Sequence, residues 1–489
     1  MGVDVEATLV KLADWAWQPV IWVALPLGLY LSIRTRFVQL RRFRDMLRQL
    51  MRAEQSDEGL TPFQALALTV GNRVGVGNIA GVATAIFAGG PGALFWMGLM
   101  AFLGAATAFT ESVLAQIYKS DTGGELRGGV PYYLEKAFQK RWLGVLAATV
   151  ALVLYTLLAP GIQANSIAVS VEYAFGVDTW ITGVVVTAVL GYIIWGGRKR
   201  IIQFVNVAVP IMAVGYLLGT IAVLVVNYQH IPGAIVVIFA SAFGADSMFG
   251  GIIGAAVAWG VRRALFSNVA GVGEGTYAAG AAEVSHPAKQ GLVQAFTIYI
   301  DTLTICMATG LMIVVSDSYN VVSGGREYVT HLPGVEAGPN FTQAAMDTVA
   351  TGLGGPFVAI SLALFALTTI VAFYFIADTN LVYLCRGVNR LYIRILEVSM
   401  LVVVMVSCVT SAAAVWAIGD IGYATLGIIN FLALVILSPI ALRTLKDYEE
   451  QDKAGLDPQF DPAKLGIKHA DYWEAYVAQR QQSGPVREG

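Results

Sequence analysis

Charge is what this chain has least of. Asp, Glu, Lys and Arg make up only 13% of its 489 residues, against about 25% in an ordinary soluble domain, while 56% are hydrophobic. That balance excludes a water-solvated globule and indicates a protein that lives in a bilayer. Cysteine is also scarce: Cys306, Cys385 and Cys408 are odd in number and fall in or beside apolar stretches, which excludes a readable disulfide framework or metal knuckle. The four histidines, His230, His286, His331 and His469, are scattered over predicted loops and the tail. They give no metal spacing and no catalytic triad, so neither an enzyme nor a transition-metal site is expected. A secretory leader is missing as well, because "MGVDVEATLVKLADW" places Asp4, Glu6 and Asp14 ahead of the first apolar run, and we read it as a retained N-terminal segment. There is no G-x-G-x-x-G after a strand, hence no nucleotide fingerprint.

Long apolar runs are abundant. A hydrocarbon core of roughly 30 Å takes about 20 apolar residues of helix, and runs of that kind occur at 17–34, 62–88, 92–118, 142–174, 179–196, 203–227, 250–281, 289–316, 355–384, 391–416 and 420–442. Basic residues orient them. "RTRFVQLRRFRDMLRQLMR" carries Arg34, Arg36, Arg41, Arg42, Arg44, Arg48 and Arg52 after the first run, so that loop is placed in the cytoplasm. Alternation then puts 119–141, 197–202, 282–289, 385–394 and the C-terminal tail on the same side, and only Lys11 and Arg326 fall opposite. The N-terminus is expected outside and the C-terminus in the cytoplasm. From 443 the chain turns charged and poor in apolar runs, which predicts a polar tail, partly helical or disordered. The outer segment 317–354 contains "NFTQAAMDTVATGLG", either a short helix over an entrance or a packed surface loop.

Two of the runs carry the same flaw. "GNRVGVGN" at 71–78 and "SNVAGVGE" at 267–274 both read N-x-x-G-V-G plus a polar residue, and such clusters of glycine and polar groups weaken a helix. Under the assigned topology they lie in the first helices of two five-helix halves of opposite orientation, which is the inverted-repeat pattern of secondary transporters. Unwound backbone is tolerated in a membrane only where it lines an enclosed cavity or a ligand site. Free N–H groups at a half-helix start suit a carboxylate, and free C=O groups at a half-helix end suit an ammonium or a small hard cation. "GNIAG" by itself also fits close helix packing. The matching second break favours a binding site.

These residues resemble a known family, the alanine or glycine:cation symporters of the amino acid–polyamine–organocation superfamily, also called sodium:alanine symporters. The resemblance rests on 71–118, "QANSIA" at 163–168, "RRALFSNVAGVGE" at 262–274, "HPAKQGLVQAFTIYIDTLTIC" at 286–306, "FVAISLALFALTTIVAFYF" at 357–375 and "VWAIGDIGYATLGIINFLAL" at 415–434. It implies an all-α polytopic membrane protein with eleven transmembrane helices: a leucine-transporter-type 5+5 inverted repeat, one extra N-terminal helix and two broken helices. The expected divisions are 1–61 (outer segment, leading helix, basic loop), 62–227 (first repeat), 228–442 (second repeat, with the outer loop 317–354) and 443–489 (tail). It also implies sodium-driven uptake of alanine or glycine through the cell membrane by alternating access. Carried over onto this chain, Gly75, Val76, Gly77 and Asn78 would receive the substrate carboxylate. Gln163, Asn165, Ser267, Asn268 and Gly271 would add polar contacts, and Phe266 and Phe373 would wall the side-chain pocket. Sodium would meet carbonyls of Gly71, Val74 and Phe365 or Ala366 and the hydroxyls of Thr368 and Thr369. Adjacent threonines are suitable oxygen donors for a hard cation, although hydroxyls in membrane helices also bond their own backbone.

The expected partners are a small amino acid, a sodium ion and the bilayer. No cofactor, no nucleic acid and no obligate protein partner is expected. Proton coupling or another amino acid selectivity is the first alternative, and a channel with a glycine filter is a more distant one. The chain departs from the family pattern at the second break. Family members usually read "SNEAG" with a small residue at the position of Glu274, and usually have Trp where this chain has Phe373. Charges near the bilayer centre cost about 2.5–3.5 kcal/mol on insertion scales and so pair or face a cavity. Arg73 and Glu274 are therefore expected either to form an internal ion pair or to take part in selectivity. Glu111 and Asp301 are candidate helix-linking groups, whereas Glu172, Asp378 and Asp420 are placed near solvated helix ends.

Overall fold

A computed structural model describes residues 5–51, 59–245 and 249–483; Asp4 and Arg52, named above, lie outside them. The first helix, α1 (Val5–Arg34), starts earlier than the apolar run and leads to a short amphipathic helix, α2 (Phe43–Met51). The first interrupted span is α3 (Pro62–Arg73) followed by α4 (Ala80–Gly89). Thr61 and Gln64 close a reciprocal cap at the start of α3, with Pro62 in the first turn. After α5 (Ala93–Ile117) a small antiparallel hairpin, β1 (Ser120–Asp121) with β2 (Leu126–Arg127), precedes α6 (Val130–Phe138). Then come α7 (Arg141–Phe175), α8 (Thr179–Ile194), α9 (Gly197–Val226) and α10 (Ile231–Ala242).

The second interrupted span is α11 (Ile253–Asn268) and α12 (Gly275–Ala281), followed by α13 (Pro287–Val315). A hairpin, β3 (Asn320–Ser323) with β4 (Arg326–Thr330), and the buried α14 (Pro339–Asp347) fill the long connection to α15 (Gly354–Cys385). The chain closes with α16 (Arg390–Cys408), α17 (Ala412–Lys453) and α18 (Asp471–Ser483).

Among the described residues eight helices are long and apolar enough to cross a membrane. The other three expected spans are the two interrupted ones and α8, which has 16 residues. Several expected boundaries move. The basic segment 197–202 is the first turn and a half of α9, because Arg and Lys are good helix formers. The last helix starts at Ala412 and runs unbroken to Lys453, past the expected end at 442, since "RTLKDYEEQDK" carries no helix stop. The helix α10 was not anticipated. Along α9 the exposed residues Val207, Ile211, Val214, Leu218, Ile221 and Val225 recur at helical spacing, an apolar stripe suited to lipid.

The two interrupted spans are stapled together at one end. Leu60 and Ala282 form a parallel bridge, with the Leu60 N–H on the Ala281 carbonyl at 2.8 Å and the Glu283 N–H on the Leu60 carbonyl at 2.9 Å. Around them α5 packs on α13 and α11, and α15 packs on α7. Two π-helical turns, Leu154–Leu158 in α7 and Tyr299–Cys306 in α13, fall beside the interruptions, where such turns commonly mark function.

Candidate substrate and cation site

Both breaks form where the glycines stand. The first helix stops at Arg73; Gly75 is extended, and Val76–Asn78 make one tight turn before α4 begins. The second stops at Asn268, with Val269 in the left-handed region (φ 46°), Gly271 at φ 90° and Gly273 at φ 104°. An added Cβ on Gly77 would lie 3.1 Å from the Phe266 ring and 3.3 Å from the Ser267 Cα, so the two breaks touch.

The freed backbone groups are held by buried side chains. The Asn78 Oδ1 accepts the Gly75 N–H at 2.9 Å, and the Gln163 Oε1 on α7 accepts the Val76 N–H at 3.1 Å. The Asn268 Oδ1 accepts the Ala270 N–H at 3.0 Å. Asp301, in the π turn of α13, joins the two interruptions: it accepts from Asn78 Nδ2 at 2.6 Å and from Ser267 Oγ at 3.1 Å. Glu111 on α5 accepts the Gly271 N–H at 3.1 Å and the Asn430 Nδ2 at 3.0 Å, while Asn430 also donates to the Gly271 carbonyl at 2.9 Å. Each free N–H or C=O named here thus has a protein partner, which is what makes unwinding tolerable inside a bilayer.

Between α3 and α15 oxygens converge. The Thr369 Oγ1 lies 3.0 Å from the Gly71 carbonyl, 3.4 Å from that of Val74 and 3.0 Å from that of Phe365. The Thr368 Oγ1 also reaches the Phe365 carbonyl, at 2.8 Å. Gly71, Val74, Phe365, Thr368 and Thr369 are thereby brought together, an all-oxygen set that suits a hard cation. Neither threonine contacts the Ala366 carbonyl through a hydrogen bond. Gly75 sits beside this cluster, since a Cβ there would come 2.7 Å from Thr369 Oγ1.

Aromatic rings close the other side. Phe266 stacks on Trp416 at 5.1 Å and meets Tyr423 edge-on at 5.2 Å, and Phe373 packs on Tyr155 at 5.3 Å. The three partners Tyr155, Trp416 and Tyr423 escaped the sequence reading because each stands in an apolar run with no local signal of direction.

Two expectations fail on geometry, and the ion-pair alternative for Arg73 and Glu274 falls away. Asn165 points away from the break, its Nδ2 donating to the Ser407 and Thr410 carbonyls at 3.0 and 2.9 Å, because it lies two residues from Gln163 on another face of the helix. Arg73 and Glu274 do not bond each other: Arg73 Nη1 engages Thr297 Oγ1 and the Gln294 carbonyl at 3.3 Å, while Glu274 accepts from the Asn72 amide of the first break. Asp420 is not solvated but buried, bound to Arg262 at 2.6 Å, and that guanidinium also holds Asp14 at 2.6 Å.

A sequence profile of the sodium:alanine symporter family matches residues 3–462. The chain belongs to this family. A chain of Bacillus subtilis (strain 168), provisionally named sodium/proton-dependent alanine carrier protein YrbD, is 50% identical over 458 residues, covering 93% of this chain and 95% of that one. The sodium/proton-dependent alanine carrier protein of Bacillus sp. (strain PS3) is 46% identical and covers 88% and 97% of the two chains. Among solved structures, MhsT in complex with L-phenylalanine superposes with a TM-score of 0.51 at 15% identity, over 87% of this chain and 98% of that one, and supports the leucine-transporter-type fold alone. Membership of the symporter family makes this chain a secondary transporter of the membrane and not an enzyme. Among the described residues no cluster of His, Cys, Asp and Glu suits a metal ion.

Proposed function

We infer that this symporter couples inward sodium movement to uptake of a small neutral amino acid, alanine or glycine. The observation that carries it is the oxygen cluster of Gly71, Val74, Phe365 and Thr369 directly beside the unwound turn at Gly75–Asn78. A cation bound there and a carboxylate on the Gly77 N–H and, in place of Gln163, on the Val76 N–H would each favour the same closed arrangement of α3 against α15, which is the reciprocal stabilisation that coupling requires. Phe266 and Phe373, with Tyr155, Tyr423 and Trp416, would leave room for a short side chain. Alternating access would rock the interrupted helices against α7, α8, α15 and α16, with 62–227 and 228–442 as the two repeats. The N-terminus would lie outside and the C-terminus in the cytoplasm, following the basic loops.

Proton participation is the second reading, favoured by three carboxylates, Glu111, Glu274 and Asp301, that are buried around the breaks. Radiolabelled alanine uptake into proteoliposomes separates the two. A sodium gradient at equal pH should drive accumulation, whereas uptake that persists without sodium and follows a pH gradient would replace the first reading by the second. Uptake that does not saturate would point instead to a channel.

A further inference from the structure

The corner between α8 and α9 and the corner between α15 and α16 enclose a cavity of about 670 Å³, edged by the β1–β2 hairpin. It shares no residue with the two breaks. Four arginines, Arg127, Arg198, Arg390 and Arg394, line it against three carboxylates, Glu125, Asp378 and Glu397, so one positive charge is left over. The carboxylates mostly engage two of the arginines: Arg127 holds Asp378 and Glu125, each at 2.7 Å, and Arg394 holds Glu397 at 2.7 Å. Arg198 keeps one contact, to Glu125 at 3.3 Å, and its guanidinium lies over the Phe375 ring at 5.4 Å. Its Nη2 is buried without an acceptor, and so is the Nε of Arg127, a residue only 6% exposed. Arg390 is exposed and forms no ion pair among the described residues.

Two helix starts add to this excess of donors. The 30-residue α9 opens on the cavity at Gly197 and Arg198 without a side-chain cap, and α16 opens on it at Arg390, so both present the positive end of the helix dipole. Buried N–H groups without acceptors are costly, and a phosphate group brings both acceptor oxygens and the missing negative charge. The rim points to the source of that phosphate. Trp195 in the cavity wall is exposed, as are Tyr192 on α8 and Leu391 and Ile395 on α16, an aromatic and apolar margin of the kind that meets lipid at the membrane surface.

We propose that this cavity is a phosphate-binding site that takes the headgroup of an anionic phospholipid, with Arg198 and Arg390 as its free donors. A headgroup that also carries an ammonium would set a second cation among the arginines and is disfavoured.

The test is titration of the purified full-length protein, in a neutral detergent, with phosphatidylglycerol, phosphatidylcholine or inorganic phosphate, read as the rise in melting temperature. Phosphatidylglycerol should give a saturable rise, and the other two at the same concentration less than about a fifth of it. The half-saturating phosphatidylglycerol concentration should increase about fivefold in R198Q and in R390Q, the loss of one arginine beside the headgroup. R390Q alters an exposed side chain and so decides the matter where R198Q does not fold. R200Q removes a neighbouring guanidinium that stacks on Tyr192 at 4.4 Å outside the cavity, and should stay within about twofold of the wild type. An equal rise with phosphatidylcholine, or an R200Q effect as large as that of R390Q, overturns the assignment in favour of unspecific lipid or surface charge. An equal rise with inorganic phosphate overturns the lipid as occupant in favour of a soluble phosphate.

Discussion

At the scale of single residues, Thr369 and Gly271 separate two roles. Thr369 touches three carbonyls through one hydroxyl, so Thr369→Ala should raise the half-saturating sodium concentration about tenfold, the loss of roughly one charge-assisted contact of about 1.4 kcal/mol, whereas Thr369→Ser should stay near wild type. Sodium titration of alanine uptake reads both, and an unchanged sodium dependence in Thr369→Ala would remove this residue from the cation site. Gly271 has a different task. Its φ of 90° disfavours any side chain, and an added Cβ would lie 2.2 Å from the Phe431 ring. Gly271→Ala should cost about 2–4 kcal/mol through strain and overpacking together, visible as a lower melting temperature of the purified protein in detergent.

At the scale of elements, α13 acts as a bolt across both breaks. Its π turn points Asp301 at Asn78 of the first interruption and Ser267 of the second, and Thr302 donates to the same carboxylate at 2.5 Å. Removing a buried carboxylate that accepts several hydrogen bonds leaves those donors unpaired, at about 1–3 kcal/mol each. Asp301→Ala should therefore lower uptake by more than about tenfold, on the order of one such penalty, and should also lower thermal stability. Uptake lost with no change in melting temperature would mean that Asp301 meets substrate or cation directly and not as a bolt. A second tie is the triad of exposed Asp14 with buried Arg262 and Asp420, which links α1, α11 and α17.

At the scale of the whole molecule, the tail is part of the fold. The Trp473 side chain is fully buried, with its indole N–H on the Gln116 carbonyl at 2.7 Å, and it covers Lys119, whose Nζ lies 4.8 Å from the Trp473 ring centre and 4.4 Å from that of Tyr472. Trp473→Ala should cost about 3–5 kcal/mol of tail docking, read as faster proteolytic clipping after residue 454. His286, on the same face, is buried against Phe460 and bonded to Asp447 at 3.1 Å. Burial holds its imidazole below the ordinary value, more than Asp447 raises it. Because His286 binds protons less readily when the tail is docked over it than when the tail is released, docking should be complete above about pH 6.5 and weaken as pH falls towards the depressed value. Limited proteolysis at pH 7.5 and 5.5 measures it; tail cleavage that does not speed up at the lower pH would contradict this.

The glycine-rich pair at 71–78 and 267–274 was legible without coordinates, because helix interruption is a local property: glycine and polar residues weaken a helix wherever they stand. The same holds for the lipid-facing apolar runs and for the oxygen-rich "LTT" at 367–369, which composition and the family resemblance identify together. Direction is not local. Whether Gln163 rather than Asn165 reaches the break, whether Asp420 meets water or Arg262, and whether Glu274 pairs with Arg73 or with Asn72 all depend on which helix face turns inward. So does the burial of Tyr155, Tyr423 and Trp473. The chain by itself determined that two membrane helices must break and which backbone groups the broken ends free. Only the packing of the helices decided which side chains complete the site, because contacts between residues hundreds of positions apart arise from the fold and from no local pattern.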